Sequence, residues 1–186
     1  HLVDAKLITE ELGNYQKIYN QYFRELMQQK LGLEVLDSEF KELVNKLFLL
    51  LYDNQVDYSL FFRHLSELPC NFSETLKLKF KDHRALDSWV SMYVRLIERE
   101  DPDLTIRREK MNLINPKFIL RNYLLQRATD KALRESDFSE VERLRILLED
   151  PYKDRPELFL QYGIDPEYYA AETPESSIEM RLSCSA

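Results

Sequence analysis

The stretch LKLKFK, residues 76 to 81, alternates apolar and basic side chains without a break, and by itself it has the period of a half-buried β-strand. A strand needs a second strand to satisfy its backbone, and nothing else in the 186 residues alternates comparably. The stretch is therefore read as a short helix, which removes the main argument for a sheet. Only three glycines occur, Gly13, Gly32 and Gly163. That is few for many tight strand turns, but enough for long helices joined by Pro, Asp and Asn connections. The predicted fold class is all-α: a mostly antiparallel bundle of roughly seven to nine helices with an irregular C-terminal tail.

Upstream of this stretch, Leu12, Tyr15, Tyr19, Tyr22 and Leu26 recur at spacings of three and four, which predicts a helix from Thr9 to Leu31, capped by Thr9, ended by Gly32 and buried along that stripe. Asp37 or Ser38 opens a second helix carrying Phe40, Leu43, Val44, Leu47, Phe48 and Leu51, rich enough in apolar residues to be central. VDYSLFFRHL (56 to 65) starts at an Asp57 cap, and Pro69 excludes its continuation.

Downstream, Asp82 leads into Leu86, Trp89, Val90, Tyr93 and Ile97, a helix ending near EREDPD, and a shorter helix covers 104 to 113. NPKFILRNYLLQRA (115 to 128) offers Asn115 as N-cap and Pro116 at the first helical position, for a helix running to about Glu135. Ser139 and Glu142 have capping-box spacing before a helix with Val141, Leu144 and Leu148 on one face, and Pro151 stops it. Pro156, Gly163, Pro166 and Pro174 then break the pattern. The expected organisation is a helical domain over 1–151 and an irregular wrap and tail over 152–186, bearing Cys184. No repeat of solenoid period occurs.

The net charge of −7, with basic residues scattered among acidic ones, argues against nucleic acid as a partner. The longest apolar run, Leu47 to Tyr52, is too short to span a bilayer, so no membrane role is expected. Two distant cysteines, Cys70 and Cys184, form no disulfide framework and suit a reducing compartment.

Motifs for chemistry are missing. Three scattered glycines cannot cradle a phosphate, and no Gly-rich loop, Val-Ala-Ile-Lys or Asp-Phe-Gly of a kinase occurs. Phe61 and Phe80, not glutamates, stand three residues before His64 and His83, which excludes the Glu-x-x-His of a di-iron bundle. His64 and Cys70 lack zinc-site spacing, and a Cys70/His64/Asp57 nucleophile group lacks an electropositive setting. Glu98, Glu100, Asp101 and Asp103 read as a solvated helix end rather than a catalytic pair. Arg107, Arg108 and Lys110 read as an exposed face in preference to an anion site. Arg121 and Asn122, inside an otherwise apolar helix, require polar partners, within the domain in preference to another domain. The residues alone describe a helical domain with no catalytic, cofactor or metal site.

NPKFILRNYLLQRA, together with VDYSLFFRHL, LRILLEDPY at 144 to 152 and the terminal SCS, resembles the C-terminal region of the selenoprotein O family, the YdiU-like proteins of bacteria, in the right order along almost the whole chain. Near the end the chain departs from the family pattern, reading TPESSIEMRLSCSA where family members tend to carry Pro-Pro and Trp. The resemblance implies a pseudokinase parent whose upstream kinase-like domain, the partner of this region, holds ATP with Mg²⁺ or Mn²⁺. That domain transfers AMP to hydroxyls of protein substrates. It implies that no catalytic residue lies here and that Cys184 is a redox cysteine; Asn115, Arg121 and Asn122 remain structural or interdomain candidates on the reading of the residues themselves. The location implied is the bacterial cytoplasm, or the mitochondrion for a eukaryotic member. The rival readings are a free-standing helical interaction module and an autonomous enzyme using Cys70.

Overall fold

The computed structural model describes residues 5–70 and 72–177, and every regular element among them is helical. Ten α-helices follow one another: α1 Ala5–Leu31, α2 Ser38–Asn54, α3 Tyr58–Leu65, α4 Glu74–Lys77, α5 His83–Glu100, α6 Leu104–Ile114, α7 Asn122–Glu135, α8 Ser139–Glu149, α9 Glu157–Tyr162 and α10 Pro166–Ala170, with a 3₁₀ turn at Glu175–Ser177. The LKLKFK stretch is split as its lack of a partner strand demands. Its start lies in α4, capped by the Ser73 hydroxyl on the Leu76 N–H, and Leu78 closes the turn. The chain divides into two compact units, His1–Val56 with His64–Met111, and Asp57–Arg63 with Asn112–Ala186.

In the first unit α2 packs on α5. Asp37 caps α2 by accepting from the Phe40 N–H at 3.0 Å, and Asp82 caps α5 by accepting from Ala85 at 3.0 Å. Phe40, Leu43, Val44, Leu47 and Leu51 of α2 and Leu86, Trp89, Tyr93, Leu96 and Ile97 of α5 are buried; these are the predicted stripes except that Phe48 and Val90 are half-buried and Leu96 joins the core. Trp89 stacks on Tyr93 and donates its indole N–H to the Leu43 carbonyl at 2.9 Å, so the largest core residue also has its polar atom satisfied.

The α1 expectation is corrected. The helix forms but begins at Ala5, so Thr9 lies within it and is not its cap; it ends at Gly32 (φ +59°), where the Leu33 N–H closes on the Gln28 carbonyl at 3.1 Å. Its predicted core stripe is exposed, however. Leu12, Tyr15, Tyr19 and Tyr22 lie at 54–68% exposure, and among the described side chains of α1 only Met27 and Leu31, in the last turns, are buried. Helical period marks a face that wants cover without specifying that this unit supplies it.

In the second unit α7 packs on α8 around Phe118, Leu124, Ala128, Leu144 and Leu147. Leu158, Ile164, Tyr169 and Ala170 complete this core. Residues 157–162 and 166–170, read from the sequence as an irregular wrap, are thus short helices with core side chains, α10 opening on an Asp165 cap with Pro166 at its start. The core face of α8 is also shifted. Glu140, Leu144 and Leu147 are buried while Val141 is exposed. The expected Ser139/Glu142 capping box gives way to Asp137, which accepts from the Ser139 N–H at 2.8 Å, and Glu142 is taken by Arg145.

Candidate functional site

Polar groups buried in each unit are where function would be sought first. In the first unit Arg107, on α6, is 4% exposed rather than part of a basic surface. Its guanidinium donates to the carbonyls of Gly32 (3.2 Å), Leu68 (2.9 Å) and Leu31 (3.1 Å) and to the Tyr93 hydroxyl, and Tyr93 donates in turn to the Leu31 carbonyl at 2.6 Å. Burial pushes the Tyr93 phenol well above its ordinary pKa. These bonds satisfy carbonyls at the end of α1 and, at Leu68, in the segment after α3, which is a structural task. Arg108 and Lys110 stay exposed, Arg108 pairing with Glu67 at 3.4 Å.

Two carboxylates of the acidic run are likewise committed, while Glu98 and Asp101 are exposed. Glu100 accepts from the Glu34 and Val35 N–H groups at 2.9–3.0 Å, and Asp103 caps α6 through Thr105 and Ile106. Cys70 is exposed. Among the described residues no three His, Cys, Asp or Glu side chains converge as metal ligands.

In the second unit Asp57 does cap α3, with Oδ1 accepting from the Leu60 N–H at 2.9 Å. Its other oxygen takes Arg121 Nη1 in an ion pair whose side chains are 15% and 6% exposed. Arg121 thus has the internal partner expected of it, with its Nε buried and unpaired.

Asn115 does not cap a helix. It is fully buried, and its carbonyl, with those of Asn112 and Tyr152, accepts from Arg63 Nη1 at 3.0–3.3 Å. The Lys117 and Phe118 N–H groups go to the Pro151 carbonyl at 2.8 and 3.1 Å. With its backbone groups bound this way, residues 115–121 remain non-helical and α7 begins only at Asn122, which is exposed; Arg121 is the N-cap residue but caps nothing with its side chain. Beside this segment Lys117 bridges Asp154 (3.1 Å) and Glu167 (2.7 Å). Against the effect of burial, Lys117 and Arg63 hold the Asp154 carboxyl below its usual pKa.

A further cluster was not evident from the sequence. Glu140, 1% exposed, accepts from Arg127 (3.2 Å), Arg143 (2.6 Å) and the Tyr169 hydroxyl (3.0 Å), fastening α10 to α7 and α8. Burial, reinforced by the Glu140 charge, raises the Tyr169 pKa to about 12. The available signal was the spacing of Glu140, Leu144 and Leu147, a stripe that needs a carboxylate on a core face and so is passed over in favour of the all-apolar one.

Fold and clusters together define a helical region whose described ionic networks serve its architecture. Its kinship follows from comparison with known proteins. A family model described as Protein adenylyltransferase SelO matches residues 1–149. Proteins named Protein nucleotidyltransferase YdiU are similar over the whole chain: 37% identical in Aliivibrio salmonicida (strain LFI1238), 39% in Vibrio vulnificus (strain CMCP6) and 34% in Pseudomonas putida (strain GB-1). The chain belongs to the SelO family and corresponds to a C-terminal portion of it, spanning 36–37% of the length of these relatives.

Proposed function

We propose that this chain is the C-terminal helical portion of a protein adenylyltransferase, with an architectural and redox-regulatory role. The transfer of AMP from ATP to protein hydroxyls belongs to a kinase-like pseudokinase domain elsewhere in the polypeptide, where ATP and Mg²⁺ or Mn²⁺ bind. The observation that carries this reading is the end-to-end similarity of the chain to little more than a third of the YdiU proteins. It is supported by the duties of the charged side chains. Arg107, Arg121, Glu100, Asp57 and Glu140 each hold backbone or partner groups of their own unit. The bacterial relatives, and the lack among the described residues of any helix long and apolar enough to cross a membrane, fit a cytoplasmic enzyme.

Cys184 lies outside the described residues, and its role rests on the family resemblance. Its thiol pairs with a cysteine of the kinase-like domain, with a disulfide-containing oxidant taking up the two electrons, and so couples redox state to transfer. Two measurements test the proposal. In the complete gene product, AMP transfer to protein should require ATP and Mg²⁺ or Mn²⁺, and Cys184→Ser should remove its redox dependence. In the 186-residue chain, calorimetric titration should give no heat of ATP binding. ATP binding or transfer by this chain alone would refute the assignment, and an unchanged redox response in the serine variant would refute the role of Cys184.

A further inference from the structure

We infer that the exposed aromatic face of α1 is a docking surface for an apolar surface in that part of the family polypeptide which lies outside this chain. This rests on the reading that the chain is a portion of a longer protein. Residues 11–22 of α1 are exposed on every side of the helix. Isolated helical turns are marginal in water, and helices in proteins are held chiefly by packing of one apolar face. This segment has such a face, yet among the described side chains of α1 only Met27 and Leu31 are buried in the core of its own unit.

The face is built for a partner. Leu12, Tyr15, Tyr19, Tyr22 and Leu26 follow the three-four spacing of a continuous seam, and all are 45–68% exposed, with Ile18 beside them at 54%. Tyr15, Tyr19 and Phe23 stack successively at 6.2–6.3 Å between centroids, and Phe23 ends the ladder against Phe48 of α2 at 5.9 Å. The seam therefore continues an anchored aromatic row rather than dangling from it. An apolar row of this extent on a soluble protein marks an interaction site.

Two observations select the occupant. The relatives carry about two thirds of their length beyond the matched region, so in the family this face sits on a chain with ample covalently attached surface, at high effective concentration. The seam composition also disfavours a second copy. A two-stranded homotypic seam takes Leu, Ile or Val at these positions, whereas three of these five residues are tyrosines, whose hydroxyls would find little but other hydroxyls across an identical seam. Tyrosine suits instead a mixed surface that is apolar along the ring and offers a polar acceptor at its edge.

The test uses the complete gene product with a benzophenone amino acid in place of Tyr19, prepared in ordinary and heavy-isotope forms, mixed equally and irradiated. Peptide mass spectrometry should find α1 joined to residues outside these 186, within isotopically uniform pairs. Adding Tyr15→Glu and Tyr22→Glu should abolish the cross-link, because docking would bury both carboxylates. The same probe at Ile18 serves if replacement at Tyr19 lowers the yield of folded protein. Mixed-isotope pairs would assign the face to a second copy and overturn the proposal. So would cross-links confined to the 186 residues, no cross-link from either position, or a cross-link that survives both glutamates. An AMP-transfer assay on the same preparation separates the two readings. A cross-link without transfer sinks the enzymatic assignment and leaves the docking, and transfer without a cross-link does the reverse.

Discussion

Glu140→Gln tests the buried carboxylate that joins three helices of the second unit. The substitution keeps shape and volume, so no cavity opens, but it replaces one acceptor oxygen by an NH₂ donor among the groups of Arg127, Arg143 and Tyr169 that now donate to it. A hydrogen bond to a charged group contributes about 1.5–3 kcal/mol, and stripping a buried ion of its partner costs about 3–5 kcal/mol. The arginine side chains are 40% and 34% exposed and stay partly hydrated, which puts the expected loss at the lower end, about 2–3 kcal/mol. In urea melts of the 186-residue chain followed by circular dichroism, that is a midpoint lower by about 1–2 M. Tyr169→Phe alone should cost about 1 kcal/mol, and the double variant less than the sum of the two, since both remove the same bond. A Gln variant within about 0.5 kcal/mol of the parent, or strict additivity, would show that Glu140 is not the fastening described.

Other consequences follow from the same structure. Folding raises the Tyr169 pKa to about 12, so the folded state holds a proton that the unfolded chain releases near pH 10. Stability should be intact below pH 10 and fall from there towards 12, with a shallower fall in Tyr169→Phe; melts at stepped pH would show it, and equal slopes would contradict it. Gly32→Ala should cost about 2–4 kcal/mol, because the added Cβ meets Met111 at 2.7 Å on top of the left-handed backbone, whereas Gly163→Ala, with open space around it, should cost only about 1–2 kcal/mol. Equal losses in denaturant would remove the Met111 contact from the argument. Asn115→Asp should be worse than Asn115→Ala, since a carboxylate would be placed at a fully buried position; as an N-cap Asn115 would show the opposite order. Asp57→Ala should lose about 3–5 kcal/mol by uncapping α3 and stranding buried Arg121, and a loss below about 1 kcal/mol would mean that the pair is not formed in solution.

The sequence by itself determined most of the helical segments up to residue 149 and where most of them start and stop, because those signals are local; it missed the two short helices at 157–162 and 166–170 and extended α7 back over 115–121. Asp37, Asp57 and Asp82 sit beside the N–H groups they cap, Gly32 supplies the left-handed residue that ends α1, and the stripes of α2 and α5 are buried as their spacing requires. The motif NPKFILRN at 115 to 122 carried the family resemblance, which needs residue identity and order but not their geometry. Only the tertiary structure decided what those residues do. Asn115 has every local attribute of a cap, yet Arg63, more than 50 residues earlier, and Pro151, more than 30 later, bind the backbone of its segment and delay α7 to Asn122. Arg107 and Glu140 look like solvated surface groups in sequence, and become buried because acceptors and donors from distant segments converge on them. The stripe of α1 is the converse case. Its period states that a face is apolar, but whether that face is covered depends on which surfaces the rest of the fold brings to it, and here it remains in water.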